Sequence, residues 1–483
     1  MNSLPLCRLA PVICAPILLA MFPSLGLGAQ GAPPFIVPWW SVLPFAALLA
    51  LIAIMPIVAH HWWEDPVNKL LVAGLCSLPV VMWLASLEKE TGGASMAMLG
   101  HSLAEYAAFL AMVGSLYIVA GGIVVAGRIE GKPFNNTLIL AIGAVLANLV
   151  STVGASMLLI RPFLRANRWR KSWHLPVFFI FVVSNLGGLL LPLGDPPLFL
   201  GFLQGIDFLW TLRLWPQWLV GNGLVLLIFY IWDFLIWRGT YSPDSAKALN
   251  EAHTRAGVNV SYEEGPLRVA GKRNLLFLVG ILFAVLLQSK QAADAIQSLI
   301  RLPVHLDHPL VGGGLMIMLA LGSLAATPEK LRKANGFSWA PFGEVGILFA
   351  GLFITMGPAL SLLSQNAQIM QAARPWHYFW MTGLGSSLLD NAPTYMAFAT
   401  VAAGGRAEIS QLSQASPAIL SAISVGAVFF GALTYIGNGP NFMVKAIAQE
   451  LNFPTPGFLK YLLISACVLL PVFLLMTFAF FAR

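Results

Sequence analysis

The sequence predicts an all-α polytopic membrane protein, with about ten transmembrane helices plus two re-entrant hairpins. These form two inverted-topology repeats with broken helices. Three observations carry this reading: a scarcity of charge, apolar runs of spanning length, and interruptions that recur at a fixed offset. Of the 483 residues, 58% are hydrophobic and only 10% are charged, against about 25% charged in soluble domains. The mean hydropathy is +0.79. That composition excludes a soluble enzyme or a nucleic-acid-binding protein, despite a formal net charge of +7. The four cysteines (Cys7, Cys14, Cys76, Cys467) all lie in apolar stretches and offer neither metal-type spacing nor a disulfide framework.

The first 30 residues resemble a secretory signal, with Arg8, an apolar run from Ala10 to Phe22, and small residues to Ala32. An additional N-terminal span is the alternative, and both place residues 30–40 outside. About 20 helical residues cross the hydrocarbon core. Runs of that kind fall near 41–59, 68–87, 103–127, 175–208 and 218–237, then, after the polar stretch Arg238 to Arg273, near 274–289, 310–326, 343–364, 415–450 and 458–480. Segments 137–160 and 375–403 are apolar but interrupted by small and polar residues, which reads as hairpins that enter and leave on one side; two ordinary spans are the alternative.

Charge bias separates these alternatives. With both segments as hairpins, 19 of the 27 basic residues lie in or beside intracellular loops, 7 lie outside, and Arg8 is in the signal. This follows the positive-inside rule. A full span at 137–160 would turn the basic run Arg161 to Lys171 outward. The organisation is therefore a signal at 1–30, a first repeat at 40–238, a cytoplasmic linker at 239–273, and a second, inverted repeat at 274–483.

The repeat is visible in the residues. Glu105 and Glu344 open matching spans, 239 positions apart. The same offset maps Asn148-Leu149-Val150-Ser151-Thr152 onto Ser387-Leu388-Leu389-Asp390-Asn391. An offset of 243 maps Leu193-Gly194-Asp195-Pro196-Pro197 onto Ile436-Gly437-Asn438-Gly439-Pro440. Proline removes a backbone donor and clashes with the preceding turn, so both runs must break a helix. Interrupted helices in matching positions of two repeats are the pattern of an ion or substrate site near the bilayer midplane. The break backbone concerned is Gly194, Pro196 and Pro197 in one half, and Gly437, Gly439 and Pro440 in the other. Simple proline kinks are the bland alternative.

Asp390 is the sharpest single candidate. A carboxylate inside a membrane costs about 2.5–3.5 kcal/mol on insertion scales, and it persists where it meets a cation, a proton or a cavity. Ser386, Asn391 and Thr394 supply neutral oxygens close by, a ligand set for a hard cation. One carboxylate that holds either a proton or a sodium ion is the minimum machinery for antiport. A structural carboxylate with a nearby donor is the alternative. Asp195 is the second candidate, with Ser184 and Asn185 ahead of it and Asn438 at its symmetric position. Ser151 and Thr152 are the counterparts of Asp390 and Asn391, with Ser156 nearby. Glu105 and Glu344 read as capping or interface carboxylates. Asp207 and Asp233 read as solvated residues near span ends. No phosphate loop or nucleophile–base set appears, so the chain does not read as an enzyme and no cofactor is implied.

The runs Ser184-Asn185-Leu186-Gly187-Gly188, Leu193-Gly194-Asp195-Pro196-Pro197, Ser386 with Asp390-Asn391, and Gly437-Asn438-Gly439-Pro440-Asn441 carry a resemblance. The chain resembles NhaD-type sodium/proton antiporters and ArsB-like, arsenite-pump-like carriers of the ion transporter superfamily. It looks most like a subgroup labelled either sodium/proton antiporters or citrate transporters. The resemblance implies a homodimer in the lipid bilayer, an ion site between the repeats, and alternating access by elevator or rocking motion. Sodium/proton members carry an Asp-Asn pair in both hairpins. This chain has Asp390-Asn391 in the second and Ser151-Thr152 in the first. Carboxylate symporters carry a Ser-Asn-Thr signature that neither hairpin shows.

The reading reached is a secondary active transporter of the bacterial-type inner membrane, a sodium/proton antiporter with Asp390 and Asp195 alternating between protonated and sodium-bound states. The alternative is a cation-coupled citrate or other di- or tricarboxylate transporter. A polyanion would want positive potential, and no Lys or Arg lies in the hairpins or beside the breaks before Lys445. Sodium and protons, or a carboxylate, are the partners implied, with no metal beyond transported sodium.

Overall fold

The computed structural model describes residues 35–127, 129–240, 268–288, 308–365, 373–404 and 409–482. The signal reading at 1–30 and most of the linker lie outside them. The described chain is almost wholly helical. The first half contains α1 (Leu43–Val58), α2 (Pro66–Ser86), α3 (Ala94–Ala120), α4 (Pro133–Ala166), α5 (His174–Val182), α6 (Pro196–Leu203) and α7 (Trp215–Thr240). The second contains α8 (Arg273–Leu286), α9 (His308–Ala326), α10 (Ala340–Gln365), α11 (Pro375–Leu388), α12 (Asn391–Ala402), α13 (Pro417–Phe430), α14 (Gly439–Glu450) and α15 (Phe458–Met476). A two-stranded antiparallel sheet pairs β1 (Val124–Ala126) with β2 (Arg268–Ala270), tying the end of α3 to the start of α8.

Seven described helices are long and apolar enough to cross a membrane, or eight counting one bent pair. Large apolar side chains stand exposed along them, including Leu71, Leu75 and Met82 of α2 and Leu219, Ile231 and Leu235 of α7. Water does not tolerate such continuous apolar faces; lipid does. The chain is an all-α polytopic membrane protein.

One of those seven, α4, does not cross. A straight 34-residue helix would be about 50 Å long. Instead Asn136 and Asn167, near its two ends, exchange amide hydrogen bonds of 3.0 and 2.7 Å. The chain folds back at Ser151, whose φ of 68° and ψ of 155° interrupt the helix. It is a helical hairpin with arms 133–150 and 152–166. The second hairpin is α11–α12, reversed by extended backbone at Leu389 and Asp390. Its arms lie close enough that a Cβ on Gly385 would sit 2.9 Å from Thr394 Cγ2.

The spans expected at 175–208 and 415–450 are both interrupted. The first is α5, a 3₁₀ turn at Leu186–Leu189, irregular backbone, then α6. The second is α13, a 3₁₀ turn at Gly431–Leu433, irregular backbone, then α14. The equivalent helices α3 and α10 pack antiparallel. Tyr106 donates to Gly346 O at 2.7 Å, Phe109 stacks on Phe349, and Tyr117 donates to Ser338 O at 2.8 Å.

One expectation is overturned. Asp233 is not solvated but fully buried, at 0% exposure. Arg170 pairs with it at 2.7 Å and His174 Nε2 lies 2.8 Å from Oδ1, while Asn136 donates to Oδ2 at 2.8 Å. Its position near the end of α7 suggested solvent, but the mouth of the first hairpin docks there and covers it. Asp207 does stay exposed, capping the backbone at Leu209.

Removing one member of a buried ion pair strands the other's charge at a cost of about 3–5 kcal/mol. Asp233→Ala is therefore expected to lower the thermal midpoint of the purified protein sharply. Adding Arg170→Met to Asp233→Leu should recover a large part of the loss, because no buried charge then lacks a partner. Thermal gel filtration in detergent reads both.

Candidate functional site

The two breaks and the two hairpin tips converge on one carboxylate. Asp195 is fully buried, with 0% exposure. It stands where extended backbone (φ −143°, ψ 145°) hands over to Pro196-Pro197, prolines that the first turn of α6 accommodates. Its Oδ1 accepts from Thr152 Oγ1 at 2.9 Å and from Asn438 Nδ2 at 2.9 Å, and its Oδ2 accepts from Asn391 Nδ2 at 2.5 Å. Thr152 follows the reversal in the first hairpin. Asn391 opens the second arm of the other hairpin. Asn438 is the N-cap of α14, symmetric to Asp195 itself. Each interrupted element thus contributes one polar side chain to a single cluster.

A second layer of amides holds these groups. Asn438 Nδ2 also reaches Ser184 O at 3.0 Å and Asn185 Oδ1 at 3.2 Å. Asn185 Nδ2 donates to Ile180 O and to Asn441 Oδ1, both at 2.8 Å. Asn441 Nδ2 in turn donates to Gly431 O and Thr434 O. These amides take up carbonyls that the broken helices α5 and α13 release. Thr434 Oγ1 bridges the second break to its hairpin by donating to Ser387 O at 2.6 Å. Asn148 does the equivalent in the first half, accepting from Leu190 N at 2.7 Å.

Backbone contact calls for glycine at Gly194 and Gly437. A Cβ on Gly194 would sit 2.1 Å from Gly188 O, and one on Gly437 would sit 2.8 Å from Gly431 O and 2.7 Å from Ser386 O. The Gly188–Gly194 and Gly431–Gly437 pairs are related by the same 243-residue offset as the breaks.

The remaining sequence candidates are distributed around this centre. Asp390 is half-buried and caps α12, its Oδ1 accepting from Ala392 N at 3.1 Å. It lies within electrostatic reach of Asp195 but is not hydrogen-bonded to it. Ser151, its counterpart, accepts from Val153 N at 3.4 Å in the same capping geometry. Thr394 Oγ1 donates to the Asp390 carbonyl at 2.9 Å, and Ser386 Oγ donates to Ala427 O at 2.6 Å. Both brace the second hairpin without touching Asp195. Pro440 and Gly439 open α14. Ser156 shares a 2.9 Å hydrogen bond with Ser184. Glu344 pairs with Lys69 at 2.5 Å. Asn441, Thr434, Gly188 and Gly431 were not among the sequence candidates. Asn441 ends the same Gly437 to Asn441 run, and the glycines obey the same offset, so both signals were present in the sequence.

One acceptor is left over. Asn391 Oδ1 is buried and has no hydrogen-bond partner. Among the described residues no Lys or Arg side chain pairs with Asp195. The cluster therefore combines one carboxylate with an unpartnered amide oxygen, which is oxygen chemistry suited to a proton or a hard cation.

Gly194→Ala has no side chain to push aside, only the Gly188 carbonyl, so it should abolish folded protein or lower its thermal midpoint well beyond the ~1–3 kcal/mol typical of overpacking. Gly439→Ala is the control, since nothing lies within 4 Å of a Cβ there. Equal midpoints for the two variants would remove the close-approach argument.

No curated protein matches the chain. A model of the family described as "Putative citrate transport" matches residues 35–481. With almost its whole length covered and its polytopic helical architecture in place, the chain belongs to that family of membrane transporters.

Proposed function

We propose that the protein is a secondary active transporter of a citrate-class carboxylate, coupled to a cation that binds at Asp195. The single observation that carries the cation half of this reading is the Asp195 cluster. A buried carboxylate receives one neutral donor from each of three other interrupted elements, beside an amide oxygen with no partner. Membership of the citrate transport family supports the carboxylate half. In this reading residues 40–238 and 274–483 are inverted repeats joined by a cytoplasmic linker at 239–273, and the antiparallel packing of α3 on α10 supports it. The protein would work as a homodimer in a bacterial-type inner membrane.

Binding a cation at Asp195 replaces donors that the carboxylate now uses. Thr152 and Asn391 can rotate to offer oxygen where they now offer hydrogen. The same carboxylate can release the cation and take a proton. Alternation between these states links the chemistry to movement of the four broken elements that surround it.

A second reading, sodium/proton antiport without a carboxylate, is favoured by one observation. The site has no Lys or Arg partner among the described residues to receive a polyanion. Helix N-termini at α6, α12 and α14 are the available positive ends.

Labelled citrate uptake into proteoliposomes under an imposed sodium or proton gradient tests the first reading. Wild type should accumulate citrate, and Asp195→Asn should fall to the level of empty liposomes while still eluting as folded protein. Absence of accumulation under either gradient, with sodium-driven proton movement in everted vesicles, transfers the assignment to antiport. Asp390→Asn separates the second carboxylate from the first. Asn caps a helix as well as Asp does, so folding should be unchanged. The half-saturating cation concentration should rise several-fold with the maximal rate retained.

A further inference from the structure

A cavity of about 290 Å³ lies between α3, α10 and α12. Its volume is at the low end for small-molecule sites and leaves room for several waters. Ser102, Glu105, Gln204, Ser361 and Thr400 bring polar atoms to its wall, and Met396 lies on α12 nearest the hairpin tip. At the rim His101 is 65% exposed, whereas Glu105 is only 11% exposed. We propose that this cavity is the aqueous vestibule of the Asp195 site and that Glu105 is the residue that concentrates small cations in it.

Two elements connect the cavity to the carboxylate. The first is α12. It begins at Asn391, which donates to Asp195, and Met396 follows five residues on. At 1.5 Å per residue the cavity wall starts about 8 Å along the helix from Asn391 and continues past Thr400. The second is α6. Asp195 caps its N-terminus and Gln204 caps its C-terminus. Gln204 Nε2 donates to the Glu105 carboxylate. This rod, about 12 Å long, therefore has the central carboxylate at one end and the vestibule carboxylate at the other. α6 and α12 also touch without room for a methyl group, since a Cβ on Gly201 would sit 2.4 Å from the Tyr395 hydroxyl.

The electrostatics follow from the lining. Among the described residues Glu105 is the one carboxylate on the cavity wall, and His101, one turn away on the same helix and 3.2 Å from it, is the one other titratable group. The described residues that α10, α12 and Gln204 present are neutral. A lone carboxylate in a confined aqueous space raises the local concentration of cations and lowers that of anions. The capping or interface role first read for Glu105 accounts for the Gln204 bond but not for its place on a cavity wall. The cation of the proposed coupling reaches Asp195 by this route, so the inference rests on that reading for its purpose. Its test does not require transport.

The test uses the full chain in proteoliposomes, with the native cysteines replaced by serine and Thr400→Cys introduced. Two membrane-impermeant methanethiosulfonate reagents, one bearing trimethylammonium and one bearing sulfonate, are compared, each normalised to its rate with a free thiol. Unit charges roughly 6–8 Å apart in water change each rate about two- to threefold in opposite directions, so a five- to tenfold preference for the cationic reagent is expected. Glu105→Gln keeps an acceptor for Gln204 but removes the charge, and should bring the ratio near one. Its half-saturating sodium concentration should rise while the maximal transport rate holds. Should Thr400→Cys elute as unfolded, Ser361→Cys on the same wall takes its place. A cysteine that reacts with neither reagent, or a preference that survives Glu105→Gln, overturns the proposal. If Asp195→Asn transports like wild type while charge-selective labelling persists, the proposed function falls and the vestibule stands.

Discussion

The structure depends on the hydrogen-bond demand of one buried carboxylate. Asp195 has no cationic side-chain partner among the described residues, so its lone pairs must be met by neutral donors. A hydrogen bond to a charged group contributes about 1.5–3 kcal/mol, and leaving the group unmet costs more than any single one returns. Three donors do the work, and they come from two hairpin tips and the opposite broken helix. None of these three elements can move far from the Asp195 segment without breaking a bond to the same two oxygen atoms. The carboxylate thus acts as the keystone of the interface between the two halves.

That demand explains why the helices are broken where they are. An intact helix keeps its carbonyls and amides for itself and presents only side chains. Pro196 and Pro197 in one half, and Gly439 and Pro440 in the other, open new helices, α6 and α14, so neither segment runs as one helix. The released carbonyls of Ile180, Ser184, Gly431 and Thr434 are then taken by the amides of Asn185, Asn438 and Asn441. The close approach of Gly194 to Gly188, and of Gly437 to Gly431, lets each broken segment fold tightly enough to bring its polar residue inward. Ser151 holds a positive φ at the first hairpin tip, a conformation of a non-glycine residue that persists only when its surroundings enforce it. The arms of that hairpin are fixed at their far end by the Asn136–Asn167 exchange and the Asp233 cluster.

Much of this was legible in the residues. The four interruptions, their order and their offsets follow from where proline, glycine and small polar residues punctuate apolar runs. Asn438 follows from applying the offset to Asp195, and Thr152 from applying it to Asn391, the neighbour of Asp390. The different burial of the two aspartates did not follow. Asp390 sits in the more conspicuous polar run, but a run of Ser, Asp, Asn and Thr is also what a hairpin tip needs to cap its second arm, and it does cap α12. Which carboxylate is sealed from solvent depends on how the two hairpins dock, and no local window encodes that. Asp233 was misjudged for the same reason. Its helix position suggested a wet end, while a segment some sixty residues earlier covers it.

The asymmetry between the halves has a physical origin in the same geometry. Asp195 and Asn438 are symmetric positions, and their side chains lie 2.9 Å apart. Thr152 and Asn391 are likewise symmetric, and both point at the same carboxylate. Asp195 therefore sits close to where the two repeats mirror each other. Two aspartates there would place like charges at hydrogen-bond distance, and one of them would have to hold a proton permanently. An amide at 438 donates instead, and it also reaches Ser184 and Asn185, which accept. Where a charged residue meets its own counterpart, two unlike side chains avoid that repulsion. Placing the single charge on one side of that point leaves Asp195 as the one carboxylate hydrogen-bonded within the cluster, with neutral donors from both halves around it.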